Sequence, residues 1–322
     1  MTTLLREIDT GTAARAGADG FEAYLYRWLE HMRQRVRPST LERYETLVRY
    51  HVVPCIGRVR LDKLRPHHLQ RVVDEMLETL APGTAHKCYA VMASALTQAV
   101  RWRLLSVSPA TGVAPPRVPP PELRVPSTVE MRTLVDAAAD TPWELPVLIA
   151  ATTGLRRSET LALRWSDVDL DTGTASIRRG KTGTARRTIH VPVSTVAALR
   201  THRKEQAERR LLCGAGWQDN GLVTDRGDGG PVIAASLSAG FARIANSVGL
   251  GDVRLHDLRH GFAVALLRAG VNVKVVAEAL GHSRASFTMD TYMHVLPGMG
   301  EQVALAIETA FAASSAATRP SE

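Results

Sequence analysis

The apolar positions between residues 21 and 103 fall at helical spacing in four stretches: "FEAYLYRWLEHMRQR" from Phe21, "PSTLERYETLVRYHVVP" from Pro38, then Pro66 to Thr79 and Pro82 to Arg103. Three of the four open on a proline, which suits the first turn of a helix because the missing N–H would have had no partner there. Residues 21–105 therefore read as a small all-helical domain behind a flexible leader, residues 1–20. Seven prolines then crowd between Pro109 and Pro126. No helix interior accepts them, so residues 106–126 read as a semi-rigid extended connector and as the domain boundary.

Beyond the connector, Ser127 and Glu130 have the spacing of a capping box, and a second, wholly apolar helix follows from about Trp143 to Thr153. The pattern then changes. "TASIRR" and "RTIHVP" are strand-like and flank the turn "GKTGTA", which predicts a small hairpin. Helices resume at Ser194–Arg210, Ser236–Ser247, Asp257–Arg268 and Asn272–Leu280, the last stopped by Gly281, and a glycine-rich loop spans Gly214 to Gly230. The class is mainly α: an all-helical N-terminal domain, then an α+β domain over 127–298 with a small antiparallel sheet, then a C-terminal helix and tail over 299–322.

Composition narrows the setting. A hydrophobic content of 45% with 22% charged residues fits a globular protein, and no apolar run reaches the roughly 20 residues of a membrane span. The N-terminus lacks the apolar core and cleavage site of an export signal. Cys55, Cys88 and Cys213 lie far apart and form no CxxC pair, which points to a reducing cytoplasm and away from disulfides or a cysteine zinc site. Net charge is +8, and residues 20–105 hold fourteen Lys and Arg against eight Asp and Glu. A basic segment can be a solvated surface, but one that concentrates most of the chain's surplus is also a candidate for nucleic acid.

In "HDLRHGFA", His256, Arg259 and His260 share one helical face and converge on a metal ion or an anion. Zinc would need a third ligand and would be repelled by Arg259, whereas a guanidinium offers an anion a forked donor. The anion reading, phosphate above all, is preferred. Two other motifs fail. "DVDLDTG" begins like a calcium loop but has Thr172 and Arg178 where glycine and glutamate are required, and reads as turn residues between strands. "GKT" at 180–182 resembles a phosphate-binding loop, yet Ala175 replaces its first glycine and a strand follows instead of a helix. In "TTGLRRSETLALRW", a structural Arg156 paired with Glu159 and a phosphate-binding Arg156 stand level. Five of the six tyrosines lie in the first domain, so Tyr292 is the one that shares the second domain with these arginines. A half-buried packing residue is the plain alternative for it.

Taken in order, "TGLRRSE", the hairpin lysine, "HDLRH", "LGHS" and "DTYMHV" resemble the tyrosine recombinases, the phage integrase family, over nearly the whole chain. The resemblance implies a SAM-like core-binding domain followed by a catalytic domain whose active site is Arg156, Lys181, His256, Arg259, His282 and Tyr292, supported by Glu159 and His260. It implies strand cleavage through a 3′-phosphotyrosyl link that requires no metal or other cofactor. The partners it implies are double-stranded DNA recombination sites, three further copies of the chain in a tetrameric synapse, and accessory DNA-bending or directionality proteins; no membrane is involved. Arg33, Arg35, Arg37, Arg43 and Arg49 would meet DNA phosphates. The tail stripe Val303, Ile307 and Phe311 either packs at home or docks on a neighbour, the two standing level.

An integrase of a mobile element is the expected role, with chromosome-dimer resolution as the alternative. A type IB topoisomerase would use the same pocket on one duplex. A DNA-binding regulator without chemistry would give no reason for Tyr292, Lys181 and both arginines to occur together. The chain departs from the family at Gly261, where many relatives carry a hydroxyl residue, and between Arg284 and Asp290. Some twenty residues precede Phe21, too few for the arm-site domain of the larger integrases.

Overall fold

The computed structural model describes residues 20–119, 123–177, 187–282, 284–292 and 308. The chain divides into two compact units, Met1–Glu122 and Leu123–Glu322.

The first unit is helical. It contains α1 (Phe21–Met32), α2 (Pro38–Leu47), α3 (Val53–Ile56), α4 (Pro66–Thr79) and α5 (Pro82–Arg101). Tyr24, Trp28, Val48, Val52, Leu69, Val72, Met92 and Leu96 make its core. Tyr24 places its hydroxyl on the Ala95 carbonyl at 2.5 Å, which satisfies the one polar atom of a ring buried for its apolar area. The sequence reads residues 38–54 as a single helix, but α2 and α3 are joined by a π turn, Val48–Val52. Pro54 is the physical reason: it has no N–H to give the carbonyl of Tyr50, and its ring would strike that carbonyl in a regular helix. The start of the proline-rich connector also differs from the extended chain expected of it. Pro109–Gly112 form a 3₁₀ turn capped by Ser108, with Pro109 and Ala110 buried, and the Tyr89 hydroxyl lies 3.1 Å and 2.9 Å from the Ala110 and Val113 carbonyls.

The second unit is α+β. It contains α6 (Thr128–Ala137), α7 (Glu144–Thr153), α8 (Arg157–Ala162), β1 (Val168–Asp169), β2 (Thr174–Ile177), β3 (Arg187–His190), α9 (Val193–Cys213), α10 (Ala234–Ser247), α11 (Asp257–Arg268), α12 (Val273–Leu280) and α13 (Ala285–Tyr292). The capping box opens α6 as its spacing predicts: Ser127 Oγ accepts from Glu130 N at 3.2 Å and Glu130 returns the bond at 2.7 Å. Arg124 then clasps Glu130 at 2.6 Å and holds its carboxyl down at about 2.

The central element is α7, apolar on nearly every side, against which α6, α8, α9 and α11 pack. The strands form an antiparallel sheet in the order β1-β2-β3, with Ala175 opposite Ile189 and Ile177 opposite Arg187. The sheet's apolar side joins Leu145 and Ile149 of α7 and Leu199 of α9. "DVDLDTG" is the β1–β2 turn, where one Asp169 oxygen accepts the N–H groups of Asp171 at 2.9 Å and Thr172 at 3.0 Å. Among the described residues no helix is long and apolar enough to cross a membrane.

Candidate active site

The site is built where three chain reversals meet. The first ends α7. Gly154 has φ of +63°, and a Cβ there would collide with Phe262 and Leu280, so the left-handed turn needs glycine for conformation and for room. The turn delivers Arg156 to the start of α8, where Glu159 closes back on it: Arg156 N donates to Glu159 Oε2 at 2.9 Å and Arg156 Nη1 to Oε1 at 3.1 Å.

The second reversal ends α12. Its last carbonyls have no helical N–H to receive and carry the negative end of the helix dipole. Guanidiniums take them. Arg259, from the first turn of α11, donates to the Leu280 carbonyl at 2.6 Å and to Gly154 at 2.7 Å. Arg156 reaches Leu280 at 3.5 Å and Gly281 at 3.4 Å, and Arg187 Nε reaches Ala279 at 2.9 Å. Gly281, with φ of +66°, leaves space that the Arg187 guanidinium fills.

One buried carboxylate serves this cluster. Glu159 is 1% exposed at its side chain and receives Arg187 in a fork, at 3.1 Å and 2.9 Å, while also holding Arg156. Burial alone would raise its pKa. The Arg187 hydrogen bonds, the Arg156 N–H and both positive charges outweigh that and hold it below the usual carboxylate range. Arg259 is 3% exposed and among the described residues hydrogen-bonds to carbonyls alone, and burial together with Arg156 lowers its pKa to about 10. A floor of three guanidiniums set against this one carboxylate keeps an excess of positive charge, held in advance for an anion.

Histidines line the rest. His256 caps α11 on the solvent side, its pKa lowered by desolvation and by Arg259. His260, one turn on, meets the His256 ring edge to face at 5.0 Å between centroids. Burial and His256 bring His260 down to about 4. His282 sits just past the α12 turn with Nδ1 2.7 Å from Thr288 Oγ1, and burial, Arg259 and Arg156 bring it to about 4 as well. The His260 and His282 rings are therefore neutral near pH 7.

The third reversal brings α13 back over α11 and α12. Tyr292 is 1% exposed among Ala263, Val264, Val276 and Leu280, and its hydroxyl lies 2.8 Å from His260 Nδ1. Burial pushes its pKa up to about 12, against the opposing pull of Arg259.

Of the residues singled out in the sequence, Arg156, Glu159, His256, Arg259, His260, His282 and Tyr292 are gathered in this one region of the second unit. Lys181 and the stripe Val303, Ile307 and Phe311 lie outside the described residues. Arg33, Arg35, Arg37, Arg43 and Arg49 are exposed on the first unit, Arg33 paired with Glu30 at 3.0 Å and Arg35 Nη1 3.2 Å from His31 Nδ1. Sequence reasoning missed Arg187. A signal existed: in "RTIHVP" the period of two puts Arg187 on the same face as buried Ile189, and an arginine on a core-facing strand position must have a partner. Gly261 also finds its reason, since a Cβ there would meet Met131 Sδ and the Pro126 carbonyl, leaving no room for a hydroxyl side chain.

The phage integrase family model matches residues 127–298, and the phage integrase N-terminal SAM-like domain model matches residues 20–77. An integrase of Saccharopolyspora erythraea is 25% identical, the alignment covering 96% of this chain and 86% of that protein. A tyrosine recombinase XerC of Xanthomonas axonopodis pv. citri is 31% identical over 59% of this chain and 60% of its own length. Among solved structures, the Tn1549 transposon integrase in complex with transposon right end DNA shares the fold with a TM-score of 0.72 at 16% identity, over 90% of this chain and 99% of that one. A lambda integrase dimer bound to a core site gives 0.69 at 16% identity, over 83% and 97%.

Proposed function

We propose, from the premise that the chain belongs to the phage integrase family, that it is the site-specific recombinase of a mobile element and that Tyr292 cuts and rejoins its DNA. In this reading the scissile phosphate sits over Arg156 and Arg259. Their free donor edges and the N–H groups of His256 and His282 bind its non-bridging oxygens and stabilise the phosphorane as charge accumulates there. Tyr292 attacks, the 5′ oxygen leaves with a proton from Lys181, and the enzyme retains a 3′-phosphotyrosyl link. The link conserves the energy of the broken bond, so a 5′ hydroxyl from a partner strand reseals it without ATP.

One observation carries this assignment: two guanidiniums, that of buried Arg259 and that of half-buried Arg156, held on the single carbonyl of Leu280, in the same region of the second unit as the buried Tyr292 hydroxyl. That arrangement binds a tetrahedral anion and offers it an attacking oxygen. A structural ion pair would need neither the excess positive charge nor the tyrosine. Because Tyr292 is 1% exposed in the free chain, attack requires a shift of α13 when DNA binds, one that keeps the Tyr292 hydroxyl on His260 Nδ1.

Residues 21–105 serve as the core-binding domain, where Arg33, Arg35, Arg37, Arg43 and Arg49 contact phosphates, and residues 127–298 as the catalytic domain. Four copies act on two duplexes in the bacterial cytoplasm, as the tetramer of lambda integrase bound to a Holliday junction supports, with the tail beyond residue 298 available for exchange between copies. Chromosome-dimer resolution is the second reading, and similarity to a protein named tyrosine recombinase, as well as to integrases, is the observation on its side. Recovering the DNA junctions formed in cells that carry the gene separates the two roles. On a nicked suicide duplex built from those junctions, Tyr292→Phe binds like wild type and forms no denaturant-resistant adduct. An adduct formed by this variant would overturn the assignment.

A further inference from the structure

Resting on the reading just given, we propose that His260 is the base that takes the proton of the attacking hydroxyl, which makes it a catalytic residue and more than a support for its neighbours. The geometry is direct. Its Nδ1 lies 2.8 Å from Tyr292 Oη, within the distance for transfer along an existing hydrogen bond. The two rings meet at 63° with centroids 5.7 Å apart, so the imidazole presents its edge, where the nitrogen lone pair lies, to the hydroxyl. His260 follows Arg259 immediately on α11, which ties the base and the phosphate-binding fork to the same turn of backbone. His256 also packs edge to face on the His260 ring, at 5.0 Å between centroids.

A proton acceptor has to be empty at rest, and His260 is. Burial, His256, Arg259 and Arg254 all disfavour its cation, against the opposing charge of buried Asp257 on the same turn. Neutral, with Nε2 carrying the hydrogen, it offers the Nδ1 lone pair to the Tyr292 O–H. The scissile phosphate adds the negative charge that the free site lacks and so favours the imidazolium when it is needed. In the step itself the Tyr292 O–H bond breaks and its proton passes to Nδ1. The phenolate oxygen bonds to phosphorus as the bond from phosphorus to the 5′ oxygen breaks, and that oxygen leaves with its electron pair and a proton from Lys181. Resealing reverses each transfer: the incoming 5′ hydroxyl gives its proton to the Lys181 amine, and the departing phenolate recovers its proton from His260.

The test uses the full chain and the nicked suicide duplex, following adduct formation in a single turnover. In His260→Asn the side-chain oxygen can still accept the Tyr292 hydrogen bond but cannot take its proton. The expected result is adduct formation slower by about 10²-fold with DNA affinity unchanged. A 5′-bridging phosphorothioate, which removes the need for a leaving-group proton, should rescue Lys181→Ala and leave the His260→Asn defect in place. Replacing Tyr292 with a fluorinated tyrosine, a more acidic phenol, should shrink the His260→Asn defect by about tenfold, since a weaker base then suffices. A His260→Asn enzyme that cleaves at the wild-type rate would overturn the proposal. So would a defect that the fluorinated phenol leaves unchanged, which would make His260 a positioning residue. His260→Gln is read by the same two criteria if a thermal melt shows that the asparagine variant is unfolded. Absence of any adduct with wild type would instead contradict the functional reading on which this proposal rests.

Discussion

The guanidinium floor and Tyr292, the proposed nucleophile beside it, are held in opposite ways. Arg156, Arg187 and Arg259 are each fixed by at least two acceptors drawn from separate parts of the chain: the α7 turn, the first turn of α8 and the C-terminal end of α12. Tyr292 is held at its hydroxyl by a hydrogen bond to His260 and otherwise by apolar contact. The floor is over-determined and the nucleophile is not. The part that stabilises charge in the transition state has to be in place before reaction, because reorganising it then would consume the advantage. In the proposed mechanism Tyr292 has to move, and apolar contact plus one hydrogen bond, the latter worth about 1 kcal/mol net, ties it at fewer points than the floor.

The largest expected effect breaks the floor. Arg187→Met leaves Glu159, buried and ionised, with Arg156 as its remaining side-chain partner among the described residues, and should destabilise the protein by about 3–5 kcal/mol in a denaturant titration. Adding Glu159→Gln to that variant should recover part of the loss, because the uncompensated charge goes with it. An Arg187→Met protein as stable as wild type would show that the floor is not over-determined.

Next in size, Arg259→Lys keeps the charge but not the fork that spans the Gly154 and Leu280 carbonyls and that the proposed mechanism turns to the phosphate. Cleavage in a single turnover should fall about 10²–10³-fold, equivalent to about 3–4 kcal/mol, with little change in DNA affinity. An equal fall in affinity would place Arg259 in ground-state binding.

A smaller effect concerns pH. His260 and His282 both have folded pKa values near 4, below the roughly 6.5 of the unfolded chain. The unfolded state therefore binds more protons as pH falls, so stability is full above pH 6.5 or so, declines towards pH 4 and levels off below it. Undiminished, two such shifts would be worth about 7 kcal/mol, but both rings are only half-buried, and solvent screening reduces the expected decline to about 1–3 kcal/mol. A His260→Asn protein should show a shallower slope in this window, and an unchanged slope would mean that the ring is not held neutral by its surroundings. The smallest effect, about 1 kcal/mol of stability, is expected for Thr288→Val, which removes the hydroxyl that positions His282.

Much of this organisation was legible in the sequence because it is local. The bounds of α4 and α11 follow from proline starts, helical spacing and glycine stops, and the structure places them at the residues expected. The Ser127–Glu130 capping box is equally local. What escaped depends on contacts between elements. Arg187 matters because the end of α12 arrives next to β3, and α8 and α13, of six and eight residues, are too short for periodicity to show. The π turn at Val48–Val52 comes from a proline whose consequence is felt four residues upstream. The ordered motifs named the residues that the structure gathers in this region, Lys181 lying outside the described residues, but not the carbonyls of Leu280 and Gly154 that hold the arginines, since any residue supplies a carbonyl.

The central claim is that the hydroxyl of Tyr292 becomes covalently joined to DNA over this floor. It is tested most directly by trapping wild-type protein on the nicked suicide duplex, digesting both components and locating the residual nucleotide by mass spectrometry. The account predicts a single modified peptide, with the nucleotide attached through its 3′ phosphate to Tyr292 and a free 5′ hydroxyl on the released strand. A nucleotide on any other residue, or a 5′ linkage, would contradict it.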